Sequence, residues 1–374
     1  MKIVFTGGGS GGHFYPIIAI VEEIRQIVKE QKLLEPTLYF CAPDPYDENT
    51  LRRYGIKFVK IPAGKFRLYF SFKNFIDIFK TIFGFIIAWF KLFLIYPDVV
   101  FGKGGFASFP TVLAAKIWGI PVIIHESDSI PGRANRFLGK IANRVAVSYP
   151  DSADFFPKNK TAWVGQPVRD SIKKHKKEEA FNFLGLEDDL PVLLVLGGSS
   201  GAEKINEIIL SSLPELLKFC QVIHQTGRSN IKDVKERASI VVNNVNFLTR
   251  YHPFSYFDDE AMSMVAGSAN FIISRAGSSI FEIASWGIPS IIIPITESNG
   301  DHQRKNAYNY ARFGGCLVVE ESNLSPIILV SEIKRLLENR ELLNKMSDSA
   351  KAFFKPDSAK KIAEELIKIS LSHQ

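Results

Sequence analysis

The sequence predicts an α/β protein with two doubly wound, Rossmann-like domains that face each other across a cleft. Three observations along its 374 residues support this prediction. Short apolar runs alternate with helical patterns, four of these runs end in a glycine-rich loop, and one pattern occurs in both halves of the chain. Continuous apolar strands between helices are typical of parallel sheets that are covered on both faces. The chain is also long enough to bury two ordinary domain cores.

Strands are predicted where apolar runs rich in Val, Ile and Phe are bounded by turn-forming residues. In the first half of the chain these runs are KIVFTG, LYFCAP, KFVKIP, DVVFGKGG, PVIIHE and NRVAVSY. In the second half they are PVLLVLGG, QVIHQTG, NVNFLTR, NFIISRAG and PSIIIPI. Helical patterns lie between them, so we expect each half to form its own open sheet.

The two halves are separated by the segment WVGQPVRDSIKKHKKEE. Gly165 and Pro167 interrupt the pattern there, and the composition changes from apolar to charged. Such a change predicts a domain boundary. We therefore expect an N-terminal domain over 1–164, a C-terminal domain over 165–346, and helices over 347–374 that pack back on the N-terminal domain.

One pattern is present on both sides of this boundary. The segments GGFASFPTVLAAKIWGIPVIIHE and AGSSIFEIASWGIPSIIIPI share a glycine turn, a helix with small residues, and the letters WGIP before a buried strand. Each segment is expected to form one β-α-β piece of a nucleotide-binding type of domain. The repeat therefore predicts related folds for the two domains.

Four glycine-rich loops follow predicted strands, at residues 7–13, 102–108, 197–202 and 275–282. Glycine allows positive φ and lets a ligand approach the backbone N–H groups closely. Ligands of open α/β sheets bind at the carboxyl ends of the strands. One such loop can serve turn geometry alone, but four of them predict that both domains bind a phosphate-bearing ligand.

Composition excludes several other kinds of site. The cysteines Cys41, Cys220 and Cys316 are far apart and form no CxxC pair, so neither a disulfide framework nor a zinc-ligand set is expected. Met and Lys lead directly into the first strand, where no signal peptide is expected. The net charge of +7 suits nucleic acid, an anionic membrane or a phosphorylated substrate. The basic residues are dispersed and no nucleic-acid-binding module is recognised, so no nucleic-acid partner is expected.

Residues 66–96 are dense in Phe, Ile and Leu. Four basic residues interrupt this segment: Arg67, Lys73, Lys80 and Lys91. The run between Lys80 and Lys91 has about half of the ~20 apolar residues that a transmembrane helix needs, so we expect no span. Two interpretations remain open, a core helix packed on a sheet and a helix that lies in the membrane interface. The second interpretation turns aromatic side chains outward beside lysines: Phe79, Phe83, Trp89 and Phe90.

A family resemblance is carried by seven segments that span nearly the whole chain. They are GGSGGHFYP, DVVFGKGGFASFP, GIPVIIHESDSIPGRANR, VGQPVR, LGGSSGA, ISRAGSSIFEIASWGIPSIIIP and DHQRKNA. With these segments the chain resembles the MurG family of bacterial peptidoglycan glycosyltransferases. That family moves N-acetylglucosamine from UDP-N-acetylglucosamine to undecaprenyl-pyrophosphoryl-N-acetylmuramoyl pentapeptide. The resemblance implies the GT-B fold, with the acceptor in the first domain and the nucleotide sugar mainly in the second.

The resemblance also implies the partners and the location of the protein. It implies an inverting transfer, without a metal or a cofactor, from UDP-N-acetylglucosamine to the undecaprenyl-linked acceptor, which converts lipid I to lipid II. It further implies a peripheral protein at the cytoplasmic face of the cell membrane. Residues 66–96 are the segment expected to touch the anionic membrane surface.

For the donor sugar nucleotide, the resemblance implies binding by Ser10, Gly11, Gly12, Asp128, Asn135, Arg169, Ser199, Gly277, Ser278, Ser279, Glu282, His302 and Gln303. Ser199 lies where a helix begins, which suits the donor diphosphate, and Arg169 is expected to contact the same group. Glu282 offers acceptor oxygens to the ribose hydroxyls, while His302 and Gln303 suit the sugar hydroxyls. The alternatives are an ordinary helix cap for Ser199, a surface salt bridge for Arg169 and a solvated side chain for Glu282.

For the acceptor, the expected contacts are Gly9, Gly104 and Gly105, whose N–H groups can hold its pyrophosphate. His13 and Glu126 are the two candidates for the catalytic base. A helix N-terminus disfavours the protonated form of His13, so orienting the substrate is an equally physical role for it. Glu126 has a structural hydrogen-bonding role as its alternative, so the choice of base stays open at this point.

Three positions depart from the family pattern. Ser10 stands where a threonine is usual and keeps the hydroxyl group. Ser200 stands where a glutamine is usual, and its side chain is too short to reach as far. Asp128 stands where an asparagine is usual, and it can accept a hydrogen bond from a sugar hydroxyl but cannot donate one. The segment YFDDEAMSMV, at the place of the uracil-binding stretch, resembles the family only loosely.

Other functions were compared with this one on the same residues. A nicotinamide-dependent oxidoreductase needs GxGxxG and an acidic residue about 20 positions later. Gly7, Gly9 and Gly12 fit that spacing, but no clear acid ends the following strand. A third interpretation is a non-catalytic protein that binds a membrane or nucleic acid through a basic surface. The basic residues are dispersed along the chain, so the sequence gives this interpretation little support. The enzymatic rival is a nucleotide-sugar 2-epimerase or another UDP-sugar transferase of similar fold.

Overall fold

The computed structural model describes residues 1–65, 72–173, 177–198, 201–296 and 301–372. The chain forms two compact units, unit 1 with Met1–Arg169 and Lys355–Gln374, and unit 2 with Asp170–Phe354. Unit 2 thus begins at Asp170 rather than at 165, and Gly165 and Gln166 are hydrogen bonded within unit 1. The chain returns to unit 1 at Lys355 rather than at 347, so only the last helix belongs to unit 1.

The strands, in chain order, are β1 (Lys2–Thr6), β2 (Thr37–Ala42), β3 (Lys57–Lys60), β4 (Val99–Gly102), β5 (Val122–Glu126), β6 (Arg144–Val147), β7 (Thr161–Trp163), β8 (Val192–Leu196), β9 (Gln221–Gln225), β10 (Tyr251–Phe254), β11 (Phe271–Ser274), β12 (Ser290–Ile292) and β13 (Cys316–Val318). Unit 1 has a seven-stranded sheet in the order β3-β2-β1-β4-β5-β6-β7. Unit 2 has a six-stranded sheet in the order β10-β9-β8-β11-β12-β13. Neighbouring strands pair in parallel in both sheets, as the apolar runs predict.

The helices, in chain order, are α1 (Gly11–Glu30), α2 (Glu48–Arg53), α3 (Phe72–Ile95), α4 (Ser108–Ile117), α5 (Arg133–Ile141), α6 (Asp170–Lys173), α7 (Lys177–Leu184), α8 (Glu203–Leu216), α9 (Ile231–Val241), α10 (Val245–Leu248), α11 (Asp259–Ser268), α12 (Ser279–Trp286), α13 (His302–Arg312), α14 (Pro326–Glu338), α15 (Arg340–Phe353) and α16 (Ser358–Ser372). Short 3-10 turns lie at Pro150–Phe155, Lys158–Lys160 and Glu321–Asn323. Each sheet therefore alternates with helices along the chain, which is the doubly wound arrangement.

Helices cover both faces of the unit 1 sheet because successive residues of a strand point to opposite sides. Ile3 and Phe5 of β1 belong to a core cluster with residues of α1 and α16, such as Phe14 and Leu366. Val4, between them, belongs to a second cluster on the other face, with residues of α3, α4 and β5. Because α16 buries its apolar side in the first cluster, the C-terminal helix completes the core of unit 1.

The parallel register places the functional loops of each unit at one edge of its sheet. In unit 1, Thr6 pairs with Gly102 and Gly102 pairs with Ile124, so the loops after β1, β4 and β5 leave the sheet together. In unit 2, Ser274 pairs with both Leu196 and Ile292, so the loops after β8, β11 and β12 also leave together. These edges hold the four glycine-rich loops that the sequence singles out.

The internal repeat occupies equivalent places in the two sheets. Its first copy, residues 104–126, covers the loop after β4, then α4 and β5, and its second copy, residues 276–295, covers the loop after β11, then α12 and β12. The WGIP glycines, Gly119 and Gly287, both have left-handed backbones, with φ of 71° and 65°. A helix that ends in this conformation favours glycine, because other residues are strained there. The shared letters thus encode the same helix stop in both units.

One predicted strand is wrong, and three strands, β7, β10 and β13, were not predicted. The run NVNFLTR is not a strand, because Val245–Leu248 form the short helix α10 and the strand β10 starts only at Tyr251. The Asn244 side chain accepts a hydrogen bond from the backbone N–H of Asn246 and so starts that helix. The added strands β7 and β13 have three residues each and lie at sheet edges, where the sequence signal is weakest.

Helix α3 lies on unit 1 along much of its length and exposes its other side. Ala88 and Leu92 are buried in the core cluster that α4 shares, and the indole N–H of Trp118 donates to the Trp89 carbonyl at 2.9 Å. Gly84 is essential to this packing, because any Cβ there would collide with the carbonyl of Pro62. The exposed side is apolar over four turns or more: Phe75, Ile76, Ile78, Phe79, Ile82, Phe83, Ile86, Trp89, Phe90, Phe93 and Leu94.

This helix corrects one inference from the sequence. By length and composition alone, Phe75–Ile95 could cross a membrane, with a mean hydropathy of 2.0, so Lys80 and Lys91 do not by themselves exclude a span. The pure core interpretation is wrong too, because Phe83 and Trp89 are 60% and 40% exposed. Residues 66–71 of the predicted membrane segment lie outside the described residues.

Candidate active site

The first two glycine loops touch each other in unit 1. Gly9 and Gly105 have positive φ, as Gly104 does, so these positions require glycine. A Cβ on Gly105 would lie 3.3 Å from the Gly8 carbonyl oxygen and 3.4 Å from the His13 Nε2. The two loops therefore pack backbone to backbone, and a side chain at these glycines would separate them.

The first loop ends at a helix start with open N–H groups. Ser10 is the N-cap residue of α1, but its side chain makes no capping hydrogen bond and is exposed. Gly11 and Gly12 form the first turn, which carries no acidic side chain. The N–H groups of this turn and the Ser10 hydroxyl can therefore receive an anionic or hydroxylated ligand.

His13 follows directly on this turn and is half-buried. Its pKa is lowered to about 4, first by burial and then by the positive charge of Lys103, against Asp128 and a hydrogen bond with the Lys103 backbone. The imidazole is therefore neutral near pH 7. Its Nδ1 is buried and has no hydrogen-bond partner among the described residues.

Glu126, at the end of β5, organises the loop that follows it. Its carboxylate accepts hydrogen bonds from the backbone N–H of Asp128 at 2.9 Å, from that of Gly132 at 3.3 Å, and from the Asn135 Nδ2 at 2.9 Å. Its pKa is raised to about 7, first by burial and then by the nearby charge of Asp128. Three donors converge on this carboxylate, and it is only 4% exposed. This arrangement is that of a loop anchor.

Asn135 lies on α5, directly beside the second glycine loop. Its Nδ2 also donates to the carbonyl of His125 at 3.2 Å, so both amide protons are used within unit 1. Its Oδ1 is buried and has no partner among the described residues. A Cβ on Gly104 would lie 2.6 Å from this amide, so Asn135 also fixes the position of that glycine.

The segment with Arg169 is tied to the same strand. The His125 Nε2 lies 2.9 Å from the Gly165 carbonyl, and the Ser148 hydroxyl donates to the Gln166 Oε1 at 2.9 Å. Arg169 itself is 8% exposed, and its guanidinium lies 3.8 Å from the centre of the Tyr15 ring. A solvated surface salt bridge is therefore not the environment of Arg169, which stacks on an aromatic ring of α1.

In unit 2, the loop after β8 closes tightly on its neighbours. Gly198 and Gly201 have φ of 77° and 78°, and a Cβ on Gly201 would lie 2.5 Å from the Thr226 carbonyl. Ser199 and Ser200 lie outside the described residues, so the expected diphosphate contact of Ser199 stays a prediction. The loop leads into α8, whose first turn follows at Glu203.

The loop after β11 leaves another helix start uncapped. Ser278 is the N-cap residue of α12 and makes no capping hydrogen bond, and no atom lies within 4 Å of a Cβ on Gly277. Ser279 is used internally, with its hydroxyl 3.1 Å from that of Ser274. Glu282 is half-buried in the first turn of α12. Open backbone N–H groups and one carboxylate thus lie at the same helix end.

Helix α13 connects the last two donor segments within unit 2. The Gln303 Oε1 accepts from the backbone N–H of Ile295 at 3.2 Å, and the Asn306 Nδ2 donates to the Ala276 carbonyl at 3.2 Å. His302 and Gln303 are half-buried at the start of this helix. Asn306 was not singled out from the sequence, although it lies in the DHQRKNA segment.

A buried carboxylate that the sequence did not reveal joins the loops of unit 2 that are predicted to bind the donor. Glu321 accepts from the Arg275 guanidinium at 2.7 Å and from the Thr296 backbone N–H at 3.3 Å and hydroxyl at 3.0 Å, while the Lys204 Nζ lies 3.5 Å away. Burial raises its pKa, but these hydrogen bonds and the Arg275 charge outweigh burial and leave the pKa below its usual range. Glu321 thus holds the loop after β11, the loop after β12 and the first turn of α8.

The chemistry open to these groups is limited to binding and proton transfer. Unit 1 supplies a neutral imidazole, backbone N–H groups and a buried lysine, and unit 2 supplies N–H groups, hydroxyls and carboxylates. Among the described residues, no group of three His, Cys, Asp or Glu side chains could hold a metal ion. The three cysteines are buried, and burial raises the pKa of the Cys41 and Cys220 thiols to about 12.

Comparison with known protein families matches both units. Residues 3–147 match the glycosyltransferase family 28 N-terminal domain, and residues 192–362 match the glycosyltransferase family 28 C-terminal domain. The matched ranges include both glycine loops of unit 1 and the loops after β8, β11 and β12.

Curated relatives match the chain over nearly its full length. One from Treponema denticola, named UDP-N-acetylglucosamine--N-acetylmuramyl-(pentapeptide) pyrophosphoryl-undecaprenol N-acetylglucosamine transferase, is 35% identical over 97% of this chain and 96% of its own. A relative of the same name from Clostridium botulinum strain Loch Maree is 35% identical, with 98% of each chain covered.

Solved structures share the fold. The crystal structure of MurG from Acinetobacter baumannii has a TM-score of 0.73 and 24% identity, covering 98% of this chain and 99% of its own. A UDP-GlcNAc 2-epimerase from Neisseria meningitidis, bound to UDP-GlcNAc, has a TM-score of 0.71 and 18% identity, covering 98% of this chain and 100% of its own. The fold is therefore GT-B, and because transferases and epimerases share it, the fold alone does not select the reaction.

Proposed function

The chain belongs to glycosyltransferase family 28, and from this premise we propose how its two units divide the reaction. The protein transfers N-acetylglucosamine from UDP-N-acetylglucosamine to the pyrophosphoryl-undecaprenol-linked N-acetylmuramyl pentapeptide, forming lipid II in peptidoglycan synthesis. The observation that carries this activity is the 35% identity over 97% of the chain. We assign the donor to unit 2 and the acceptor to unit 1.

Donor binding is assigned to the open helix starts of unit 2. The N–H groups before α12 and the loop after β8 suit the donor diphosphate, because a helix N-terminus carries positive potential. Glu282 accepts hydrogen bonds from the ribose hydroxyls, and His302 and Gln303 contact the sugar. Arg169, Ser10 and the first turn of α1 complete the diphosphate and sugar contacts, as the family resemblance implies.

Acceptor binding is assigned to the paired glycine loops of unit 1. The N–H groups near Gly9, Gly104 and Gly105 hold the acceptor pyrophosphate. The acceptor hydroxyl oxygen bonds to the anomeric carbon while the bond to UDP breaks, and UDP leaves with the electron pair. We assign the base to His13, because it is neutral and because the Glu126 carboxylate already receives three hydrogen bonds.

Membrane contact is assigned to the exposed side of α3. A helix packed lengthwise on its own domain cannot span a bilayer without leaving that domain, so it lies in the plane of the membrane surface. Lys80 and Lys91, both exposed, flank the apolar side and attract anionic headgroups. We assign the protein to the cytoplasmic face of the membrane, as a peripheral protein, as the family resemblance implies.

A transfer assay tests the proposal. Radiolabelled UDP-N-acetylglucosamine is incubated with the full chain, with and without the lipid-linked acceptor. We expect label in the lipid product only when acceptor is present. An acceptor-independent conversion to the C2 epimer of the donor sugar would instead establish the rival 2-epimerase.

Thermal stabilisation tests the class of donor. UDP-N-acetylglucosamine should raise the melting temperature of the full chain, because it binds only the folded protein, whereas NADH should not. Stabilisation by NADH alone would overturn the assignment and favour an oxidoreductase.

A further inference from the structure

Lys103 is a fully buried lysine in unit 1 that neither assigned binding site uses. It follows β4 directly, its backbone N–H donates to the Thr6 carbonyl at 2.8 Å, and its side chain is 0% exposed. Lysine is rarely buried to this extent unless other groups compensate its charge. We therefore ask which neighbouring groups compensate the charge of Lys103.

The ammonium lies among groups from three segments. It donates to the hydroxyl of Ser127, the residue that stands in the sequence between Glu126 and Asp128. Burial lowers the pKa of Lys103 to about 8, and these two carboxylates keep it from falling further. Its charge in turn lowers the pKa of His13 on α1 and, after burial, that of His125 on β5.

The lysine side chain also bridges two functional loops. A Cβ on Gly7 would lie 3.0 Å from the Lys103 Cβ, so the stem of the lysine packs against the first glycine loop. Its end reaches the loop after β5 at Ser127. One side chain thus connects the loop that precedes His13 with the loop that contains Asp128.

We propose that Lys103 is a positioning residue for the transfer, whose buried side chain ties the first glycine loop to the loop after β5 and whose positive charge adds to burial in opposing the protonation of His13. The proposal rests on the assignment of His13 as the base. Because it is buried, Lys103 acts through these neighbours and not by touching the substrate. Burial opposes the protonation of His13 most strongly, and the charge of Lys103 opposes it next, whereas Asp128 and a hydrogen bond with the Lys103 backbone favour it.

Removal of the ammonium has a defined consequence. Burial would still disfavour the protonated imidazole, but the second cause that lowers the pKa of His13 would be gone while Asp128 still raises it, so the imidazole would take up a proton at higher pH. A protonated imidazole cannot accept the proton of the acceptor hydroxyl. The acid side of the pH–rate profile would therefore move to higher pH, although the residue that carries out proton transfer is unchanged.

The experiment compares the wild type with Lys103→Met, which keeps the length of the side chain and removes its charge. The control is Lys29→Met, on the exposed last turn of the same helix as His13. The pKa of His13 is measured by NMR with 15N-labelled histidine, with His13→Gln for assignment, and the pH–rate profile of the transfer is measured in parallel. In Lys103→Met we expect the pKa of His13 and the acid side of the pH–rate profile to move up by about one pH unit or more. In Lys29→Met we expect neither quantity to change.

The outcomes separate the proposal from the function on which it rests. An unchanged His13 pKa in folded Lys103→Met overturns the role of Lys103. A raised His13 pKa with an unmoved pH–rate profile supports the electrostatic role but overturns His13 as the base. If Lys103→Met does not fold, the wild type still decides: the His13 nitrogen shifts should show a second step near pH 8, where Lys103 loses its proton, and absence of that step overturns the proposal.

Discussion

The two units present the same kind of sheet edge but treat charge differently there. In unit 1, Lys103, Glu126 and His125 are buried, and burial is the largest cause of their altered pKa values. In unit 2, the assigned ligand contacts such as Glu282 and Gln303 are half-buried, and the buried carboxylate of Glu321 is matched by Arg275. Among the described residues at these edges, burial and nearby charges set the proton affinities of side chains in unit 1, whereas hydrogen bonds and ion pairs hold the loops of unit 2 in place.

This difference fits the division of labour that we propose. A group that accepts a proton in the reaction needs a controlled proton affinity, which burial and neighbouring charges provide. A group that holds a nucleotide sugar needs a fixed position and free hydrogen-bonding capacity, which a network of ion pairs behind it provides. Substitutions in unit 1 should therefore change turnover, and those in unit 2 should change donor affinity.

The sharpest test of this contrast is His13→Ala. We expect turnover to fall about a hundredfold, because the general base is lost, with little change in the Kd of UDP-N-acetylglucosamine. Glu126→Ala should also lower turnover without loss of donor affinity, but it should lower the melting temperature as well, because three hydrogen bonds to its carboxylate are lost. Steady-state kinetics and donor titration measure both variants, and a His13→Ala rate within about threefold of wild type would remove His13 from the role of base.

A second prediction concerns the membrane, which we assign to unit 1 alone. Replacing Phe83 and Trp89 with serine should weaken binding to anionic vesicles by about tenfold or more, because two partly exposed aromatic side chains no longer enter the interface. The matched control replaces Phe183 and Ile240 of unit 2, which are 77% and 73% exposed, with serine. Vesicle sedimentation measures the effect.

Salt gives an internal check on the same experiment. Raising the ionic strength should weaken binding of the wild type, since part of the attraction is between lysines and anionic headgroups. If the serine variants of unit 1 and unit 2 lose the same amount of vesicle binding, exposed apolar side chains in general, and not α3, drive the binding.

A third prediction addresses the carboxylate behind the donor loops. Glu321→Ala should raise the KM for UDP-N-acetylglucosamine about tenfold, because Arg275 and Thr296 lose a shared partner and the loops they begin are no longer fixed. Turnover at saturating donor should stay within about threefold of wild type. The control is Glu338→Ala on the exposed end of α14, and a loss of turnover with unchanged KM would contradict the assignment of unit 2 to donor binding.

The smallest expected effect is on stability in acid, and it should appear in both units. His224 is buried in unit 2, where its ring contacts the Tyr251 hydroxyl and the Asn206 amide, and burial lowers its pKa from 6.5 to about 3. Between these two pH values the unfolded chain binds a proton that the folded state does not, so stability falls as the pH falls through this window. His13 acts in the same direction between 6.5 and about 4.

Thermal melting between pH 7 and pH 5 measures this effect, which we expect to be a few degrees. His224→Gln should be less stable than wild type at pH 7 but should lose less on acidification. If wild type and His224→Gln show the same dependence on pH, proton uptake by His224 does not contribute.

The sequence by itself determined most strands of the two sheets, the glycine-rich loops that follow them and the family. Each rests on local information: apolar runs define strands, glycines define loops such as 102–108, and the WGIP repeat defines the equivalent helix stops at Gly119 and Gly287. These features depend on the conformations of a few neighbouring residues, so they can be read from the residues themselves. The predicted contacts of Ser199 and of the cleft stay predictions.

Only the tertiary structure decided the charge states and the partners within the site. Lys103 is an ordinary lysine in the sequence, and its burial beside Glu126 and Asp128 follows from the parallel pairing of β1, β4 and β5. Glu321 is joined with Arg275 for a similar reason, because β11, β12 and β13 are adjacent in the sheet. Such contacts link residues far apart in the chain, and proton affinity depends on burial and on charges nearby in space, neither of which a local pattern contains.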